Sequence, residues 1–161
     1  MSADQVSDRR YVLTLSCPDR TGIVARITTF LADIGGWITE AAYHSDDESG
    51  RFFTRQEIRA DAAKGLDALV TIMKDNPDIN IELASHTDSR AKDNYNLTLS
   101  QKRAQSAVDY IIAHGVDKKR ITAKGYGESK LVNKCSNGVK CTETEHQQNR
   151  RTEFKVTSFG G

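Results

Sequence analysis

Two spacings of apolar residues alternate along this chain, one typical of β-strands and the other of α-helices. Residues 11–17 alternate and are rich in β-branched and aromatic side chains, which predicts a strand. Apolar residues then recur at helical spacing from Ile23 to Ile34 and stop at Gly35 and Gly36, which predicts a helix. The same criteria predict a helix between Asp61 and Pro77, a helix over residues 96–114, and strands over residues 37–44, 51–59, 79–84, 120–126 and 150–157.

The predicted order of elements is βαββαβαββ, with a long loop over residues 127–149 before the last strand. This order favours an α+β fold in which helices cover one face of a mixed β-sheet. A length of 161 residues fits one ordinary domain or two small ones. No repeat of fixed period and no linker rich in Pro, Gly or Ser divides the chain.

The overall charge excludes some classes of protein. The chain has 23 Lys and Arg against 22 Asp and Glu, a net charge of +1 that argues against a nucleic-acid partner. No apolar run approaches the length of a membrane span. The first residues lack the charged and apolar segments of an export signal, which predicts a cytoplasmic location for the chain as written.

The use of Lys, Arg and Asn changes abruptly near residue 60. Residues 1–60 contain seven Arg and neither Lys nor Asn, whereas residues 61–161 contain eleven Lys, five Arg and all seven Asn. Because Lys and Arg serve almost equally well on a solvated surface, surface physics does not demand this change. Chance in a short chain is one explanation. A chimera of two sources, deliberate or accidental, is the explanation we favour.

The N-terminal part carries the stretch Cys17-Pro-Asp-Arg-Thr-Gly-Ile-Val-Ala25, a Gly-Gly-Trp-Ile turn and a Phe52-Phe53 strand. It resembles the N-terminal ACT domain of formyltetrahydrofolate deformylases over residues 9–60. The resemblance implies the βαββ part of a ferredoxin-like fold and a small effector such as an amino acid. The implied effector loop contains Asp19, Arg20, Thr21 and Gly22. The hydrolase domain of that family has no counterpart here, so we predict that the chain is not an enzyme.

The C-terminal part carries His86-Thr-Asp88, Asn96-Leu-Thr-Leu-Ser-Gln-Lys-Arg-Ala104 and Asn149-Arg-Arg-Thr-Glu-Phe154. It resembles the OmpA-like peptidoglycan-binding domain, with βαβαββ order over residues 51–160 and a periplasmic location associated with the outer membrane. The resemblance implies that Asp88 and Arg103, with Thr87 and Asn96, bind the diaminopimelate of the peptide stem.

The chemistry of diaminopimelate suits these residues, because one end offers an ammonium for a carboxylate and a carboxylate for a guanidinium fork. Asn96 could cap the following helix or orient the preceding loop. The alternatives without a ligand are that Asp88 forms an Asx turn and that Arg103 is an ordinary solvated helix residue. In one departure from the family pattern Ala91 replaces a glycine, which would cost stability if that position needs a positive φ.

Cys135 and Cys141 could close a small disulfide loop, since relatives of this domain are exported to an oxidising compartment. With His146 they would give three zinc ligands at an unusual spacing, a weak signal. We therefore predict no metal and no cofactor.

The two resemblances share the strand 51–59 and the helix and strand that follow it. In a ferredoxin-like sheet the strand over residues 11–17 would lie between the two shared strands, and in an OmpA-like sheet the last strand would lie there. We expect residues 151–157 to occupy this slot. Residues 11–17 would then pack outside the sheet or swap into a second copy to form a homodimer.

Peptidoglycan-stem binding by a non-catalytic module within an engineered chimera is therefore the leading functional hypothesis. The alternatives are an engineered fold-recombination scaffold with no physiological function and an ACT-type module that binds an amino acid.

Overall fold

The computed structural model of the protein describes residues 8–19, 21–33 and 37–159. The strands within these residues are β1 (Asp8–Pro18), β2 (Trp37–Asp46), β3 (Arg51–Asp61), β4 (Ile79–His86), β5 (Ile121–Gly127) and β6 (Thr152–Phe159). The α-helices are α1 (Ile23–Asp33), α2 (Ala62–Asp75), α3 (Asp93–Ala113) and α4 (Glu143–Asn149). A 3₁₀ turn at Lys118–Arg120 precedes β5.

The six strands form one mixed sheet in the order β2-β3-β1-β6-β4-β5. Strand β1 runs antiparallel to β3, and its residues 11–14 run parallel to residues 152–155 of β6. Strand β4 pairs antiparallel with β6 and parallel with β5. The structure thus confirms the predicted α+β class and its mixed sheet.

The prediction that the first and last strands compete for one position in the sheet is wrong, because β1 and β6 both lie between β3 and β4. A strand has two edges of backbone donors and acceptors, and each can pair with a different neighbour. Strand β1 uses one edge for β3 and the other for β6, while β6 uses its second edge for β4. The segment 11–17 therefore does not pack outside the sheet, and the reason for expecting a strand-swapped dimer is removed.

The hydrophobic core lies between one face of the sheet and helices α1, α2 and α3. Leu31 of α1, Met73 of α2 and Ile111 of α3 are fully or almost fully buried in it. The rings of Tyr11 in β1 and Phe154 in β6 stack with centroids 5.6 Å apart, so the two central strands also pack through their side chains. This arrangement makes β1 a member of the core.

Helix α3 approaches β5 very closely at Gly125. A Cβ atom on Gly125 would lie 2.2 Å from the backbone nitrogen of Gln101, a separation that no side chain tolerates. The backbone N–H of Gly125 also donates to the side-chain oxygen of Gln101 over 2.7 Å. The first half of α3, with its functional candidates, is therefore fixed against the end of β5.

The ends of the strands differ from those predicted by up to three residues, and two further differences concern helices. Helix α3 begins at Asp93, three residues earlier than the apolar pattern indicates, because its first turn is polar. Helix α4 lies inside the predicted loop 127–149. It begins with a capping box, in which Thr142 accepts from the backbone N–H of Glu145 and the Glu145 side chain accepts from the backbone N–H of Thr142.

Among the residues that the structure describes, no helix is both long and apolar enough to cross a membrane.

Candidate functional site

The candidate site begins where β4 ends. The backbone N–H of His86 donates to the carbonyl of Arg151 over 3.0 Å, and that of Thr87 donates to the carbonyl of Gly127 over 2.9 Å. The chain then forms a short loop over residues 87–92 and enters α3. The start of the loop is therefore fixed between the end of β5 and the start of β6, and Asp88 is its second residue.

Asp88 is an ionised carboxylate surrounded by hydrogen-bond donors, and only 8% of the residue is exposed. Its Oδ1 accepts from the backbone N–H of Arg90 over 3.1 Å. Its Oδ2 accepts from Nε of Arg90 over 3.1 Å, from Nη2 of Arg90 over 2.8 Å and from Nη1 of Arg150. Burial alone would raise the pKa of Asp88, but the hydrogen bonds from Arg90 and Arg150 outweigh it and lower this pKa to about 2.

A second carboxylate completes a four-charge network formed by Asp88, Arg90, Arg150 and Glu143. Nη1 of Arg90 donates to Glu143 over 2.8 Å, and Nη2 of Arg150 also donates to Glu143. Nε of Arg150 donates to Gln147 over 3.0 Å. Each arginine therefore bridges the two carboxylates.

Three members of the four-charge network were missed from the sequence. Arg150 lies inside a stretch that carried the family resemblance, but no role was assigned to it. Glu143 lies on α4, which the Thr142–Glu145 capping box could have revealed. No pattern in the sequence distinguishes Arg90 from a solvated loop residue.

Asn96 holds the loop in place from the first turn of α3, and it is 3% exposed. Its amide Nδ2 donates to the carbonyl of Asp88 over 2.9 Å and to the carboxylate of Glu128. The helix N-cap position belongs to Lys92. Of the two roles predicted for Asn96, the structure therefore contradicts the cap and places the residue where it orients the loop.

Arg103 lies on α3 two turns after Asn96, next to the buried Ala104, and its side chain is exposed. It makes no hydrogen bond or ion pair with any residue in the described part of the chain. Thr87 is buried, and its hydroxyl finds no hydrogen-bond partner among the described residues. The structure thus brings Thr87, Asp88 and Asn96 together and leaves the guanidinium of Arg103 facing solvent.

Ala91 does not have the strained conformation that its replacement of a family glycine suggested. Across residues 8–19, 21–33 and 37–159, positive φ angles occur only at glycines. The stability cost expected at Ala91 therefore does not arise.

Cys135 and Cys141 are bonded to each other in the structure, with their Cα atoms 5.9 Å apart. The carbonyl of Cys135 accepts a hydrogen bond from the hydroxyl of Ser89, so the disulfide loop supports the loop that carries Asp88. Asn137 within the disulfide loop donates to Asp93 over 3.1 Å at the start of α3.

The zinc alternative does not match this geometry. Within the described chain the residue grouped with Cys135 and Cys141 is Glu145 rather than His146. Sulfur atoms bonded to each other do not offer thiolates to a metal.

The ACT-like effector loop forms the exposed turn between β1 and α1. Asp19, Thr21 and Gly22 are solvent-exposed, and Arg20 lies outside the described residues. The backbone N–H of Asp19 donates to the carbonyl of Gly50 over 2.9 Å, and the carbonyl of Gly22 accepts from Arg26 over 3.0 Å. These contacts account for a turn and a helix start.

His86 next to the site is neutral near pH 7. It is 2% exposed and stacks on the ring of Tyr126 with centroids 5.2 Å apart. Burial, together with the nearby charge of Arg151, lowers the pKa of His86 to about 4. It therefore adds no positive charge to the site.

Comparison with known proteins places the site in a family context. The model of the OmpA family matches residues 53–145. Outer membrane porin F of Pseudomonas fluorescens is 36% identical over 104 residues, which cover 65% of this chain and 30% of that protein. A peptidoglycan-associated lipoprotein of Buchnera aphidicola is 35% identical over 100 residues, covering 62% of this chain and 55% of that protein. The chain thus spans only part of the length of these relatives.

Solved structures show the same fold. The crystal structure of the peptidoglycan-associated lipoprotein from Burkholderia pseudomallei superposes with a TM-score of 0.52 at 23% identity, covering 74% of this chain and 91% of that one. A formyltetrahydrofolate deformylase from Pseudomonas syringae is 28% identical and covers 67% of this chain and 44% of that one, but its TM-score is 0.34. That value carries no argument for the predicted ACT-like part.

Proposed function

The chain belongs to the OmpA family, and from this premise we propose that it binds the peptide stem of peptidoglycan through diaminopimelate. The family match confirms the prediction that the chain acts by binding rather than by catalysis. One of its relatives is named a peptidoglycan-associated lipoprotein. That name and the geometry around Asp88 support the same ligand.

The observation that carries the proposal is the state of Asp88. Its pKa of about 2 keeps the carboxylate charged near neutral pH. Asn96 and the disulfide loop fix the segment on which it lies. A fixed anion that is 8% exposed is suited to a ligand cation, because little water competes for it.

Arg103 supplies the second half of the proposed recognition. Its guanidinium is exposed on α3 and makes no ion pair within the described residues, so it can take a bidentate carboxylate without first losing a partner. Diaminopimelate has an ammonium and a carboxylate on the same carbon. In the proposed complex Asp88 pairs with that ammonium and Arg103 with that carboxylate.

Calorimetric titration with meso-diaminopimelate tests the proposal. We expect measurable binding by the native chain and its loss in Asp88→Ala and Arg103→Ala. Lys102→Ala is the matched control, because it removes an exposed positive charge from the adjacent position of α3. Binding that persists in Asp88→Ala, or that is lost equally in Lys102→Ala, would contradict the assigned roles.

The same titration separates the alternative functions. Binding of glycine or methionine that is lost on changing Asp19 would indicate an ACT-type effector site. Binding of neither diaminopimelate nor an amino acid would leave a scaffold without a physiological ligand.

We also propose that the chain acts where peptidoglycan is found, in the periplasm, in place of the cytoplasmic location expected above. The support is that relatives of the chain carry outer-membrane and peptidoglycan-associated names. Sedimentation with isolated sacculi, compared between the native chain and Asp88→Ala, tests whether intact peptidoglycan is bound.

A chimeric origin is a further proposal about the N-terminal part. The family match begins at residue 53, within β3, so β1, α1 and β2 lie outside it. The change in Lys, Arg and Asn usage falls close to the same place. The two observations together support an addition of two strands and a helix to an OmpA-like unit. Binding of diaminopimelate by the whole chain would show that the site tolerates the addition.

A further inference from the structure

The carboxylate that is proposed to take the ligand ammonium already has cationic partners inside the chain. We propose that Arg90 competes with the ligand ammonium for Asp88 and thereby lowers the affinity of the site for ligands that carry an ammonium. The inference rests on the function proposed above. It concerns how the site is occupied before the ligand arrives.

The hydrogen bonds at Asp88 identify the position under competition. Three guanidinium N–H groups converge on Oδ2, two from Arg90 and one from Arg150, whereas Oδ1 receives one backbone N–H. A ligand ammonium that binds Oδ2 needs the same lone pairs, because a carboxylate oxygen accepts about two strong hydrogen bonds. Ligand binding at Oδ2 therefore requires a guanidinium to leave.

Arg90 is the arginine that can leave. Half of its side chain is exposed, against 24% for Arg150. Arg150 is also held by Gln147 over 3.0 Å, so its movement would break a further contact. The backbone hydrogen bond from Arg90 to Oδ1 does not depend on the guanidinium and can remain when the side chain rotates away.

Glu143 can remain an ion-pair partner of Arg90 after its guanidinium leaves Asp88. Nη1 of Arg90 already donates to Glu143 over 2.8 Å, and the Glu143 side chain is 67% exposed. Arg90 can therefore release Asp88 and keep one carboxylate partner. An ammonium then replaces one guanidinium at Asp88, while Arg90 remains paired with Glu143.

Only a ligand with a cation takes part in this exchange. Its ammonium can replace Arg90 at Asp88, whereas a ligand that carries only carboxylates would leave Asp88 less well paired in a partly buried position, which costs free energy. Arg90 therefore lowers the affinity for ligands with an ammonium and has no such effect on ligands without one.

Titration of Arg90→Gln with meso-diaminopimelate and with pimelate, which lacks the ammonium groups, tests the proposal. We expect Arg90→Gln to bind diaminopimelate about tenfold more tightly than the native chain, near the lower end of what a hydrogen bond to a charged group contributes. Lys92→Gln removes the same charge from the same exposed loop and should leave this affinity unchanged. The affinity for pimelate should not strengthen in Arg90→Gln as it does for diaminopimelate.

Glu143→Gln is an independent variant that should change the affinity for diaminopimelate in the opposite direction. Without its carboxylate the displaced Arg90 loses its second partner, so diaminopimelate should bind several-fold more weakly than to the native chain. Circular dichroism of each variant confirms that it is folded before titration.

The outcomes separate this inference from the function on which it rests. If the native chain binds diaminopimelate and Arg90→Gln binds it equally or more weakly, Arg90 is not a competitor, while the proposed function stands. An equal gain in Lys92→Gln would assign the effect to long-range charge and overturn the competition. If neither the native chain nor Arg90→Gln binds, both proposals fail. Binding by Arg90→Gln alone would support both.

Discussion

Replacing Asn96 by Ala should destabilise the protein by about 3 kcal/mol. The Asn96 amide donates to the carbonyl of Asp88 over 2.9 Å and to the carboxylate of Glu128, and the residue is 3% exposed. A buried hydrogen bond between neutral groups contributes about 1 kcal/mol, and one to a charged group about 1.5–3 kcal/mol. Alanine removes both bonds and leaves two acceptors without their donor. The estimate is therefore the sum of the two contributions.

Urea unfolding followed by circular dichroism measures this loss as a fall in the free energy of unfolding. The matched control is Asn94→Ala, an exposed position in the same turn of α3, which should change that free energy by less than about 0.5 kcal/mol. Asn96→Asp keeps the shape of the side chain but places an acceptor opposite both oxygens, so it should be at least as damaging as Asn96→Ala. A loss in Asn96→Ala no larger than that in Asn94→Ala would refute the role of Asn96 in holding the loop.

Three further predictions concern the close helix contact, the charge at the site and the disulfide. Gly125→Ala should lower the free energy of unfolding by about 3 kcal/mol or more, because its Cβ meets the α3 backbone. Gly138→Ala, at a position with φ of +81° and open space around it, should lower it by about 1 kcal/mol. Urea unfolding that ranks the two variants in the reverse order would contradict the close approach of α3 to Gly125. The pKa of Asp88 falls from 3.8 to about 2 on folding, so its contribution of about 2 kcal/mol to stability is present above pH 4 and is lost as the pH falls toward 2. Asp88→Asn should therefore flatten that part of the curve of stability against pH. An unchanged slope in Asp88→Asn would contradict the lowered pKa of Asp88. Reducing the Cys135–Cys141 disulfide should lower the free energy of unfolding by about 2 kcal/mol. It should also weaken diaminopimelate binding, measured by titration with and without reductant, because the disulfide loop supports the loop that carries Asp88. Equal binding with and without reductant would show that the disulfide loop does not support the binding site.

The strands and the first three helices were predictable from the sequence, but helix α4 and the order of the strands in the sheet were not. Alternation in residues 11–17 and 150–157 marks both strands correctly, because that pattern reflects only which face of each strand is buried. It does not say which edges pair. The arrangement of β1 beside β6 depends on contacts between residues about 140 positions apart, such as Tyr11 with Thr152.

The candidate site shows the same division. Asp88, Asn96 and Thr87 lie together in the structure, as the resemblance to the OmpA-like domain implied, whereas Arg103 is exposed on α3. The partners of Asp88 were not predictable, because Arg90 and Arg150 look like ordinary solvated arginines in the sequence. Arg90 lies in the same loop, two residues after Asp88, whereas the end of α4 brings Arg150 to Asp88 from 62 positions along the chain.

Strand β6 has a consequence for how the chain folds. Among the strands that the structure describes, it is the one that connects the group β2-β3-β1 to the pair β4-β5, since it pairs with β1 on one side and with β4 on the other. During synthesis β6 is the last of the six strands to leave the ribosome, so until then the nascent chain can form only two separate pieces of sheet. The final closure brings together segments that are far apart in sequence, which is typically slow. The unpaired edges of β1 and β4 are exposed during that interval, and a chaperone that shields such edges would raise the yield of folded protein.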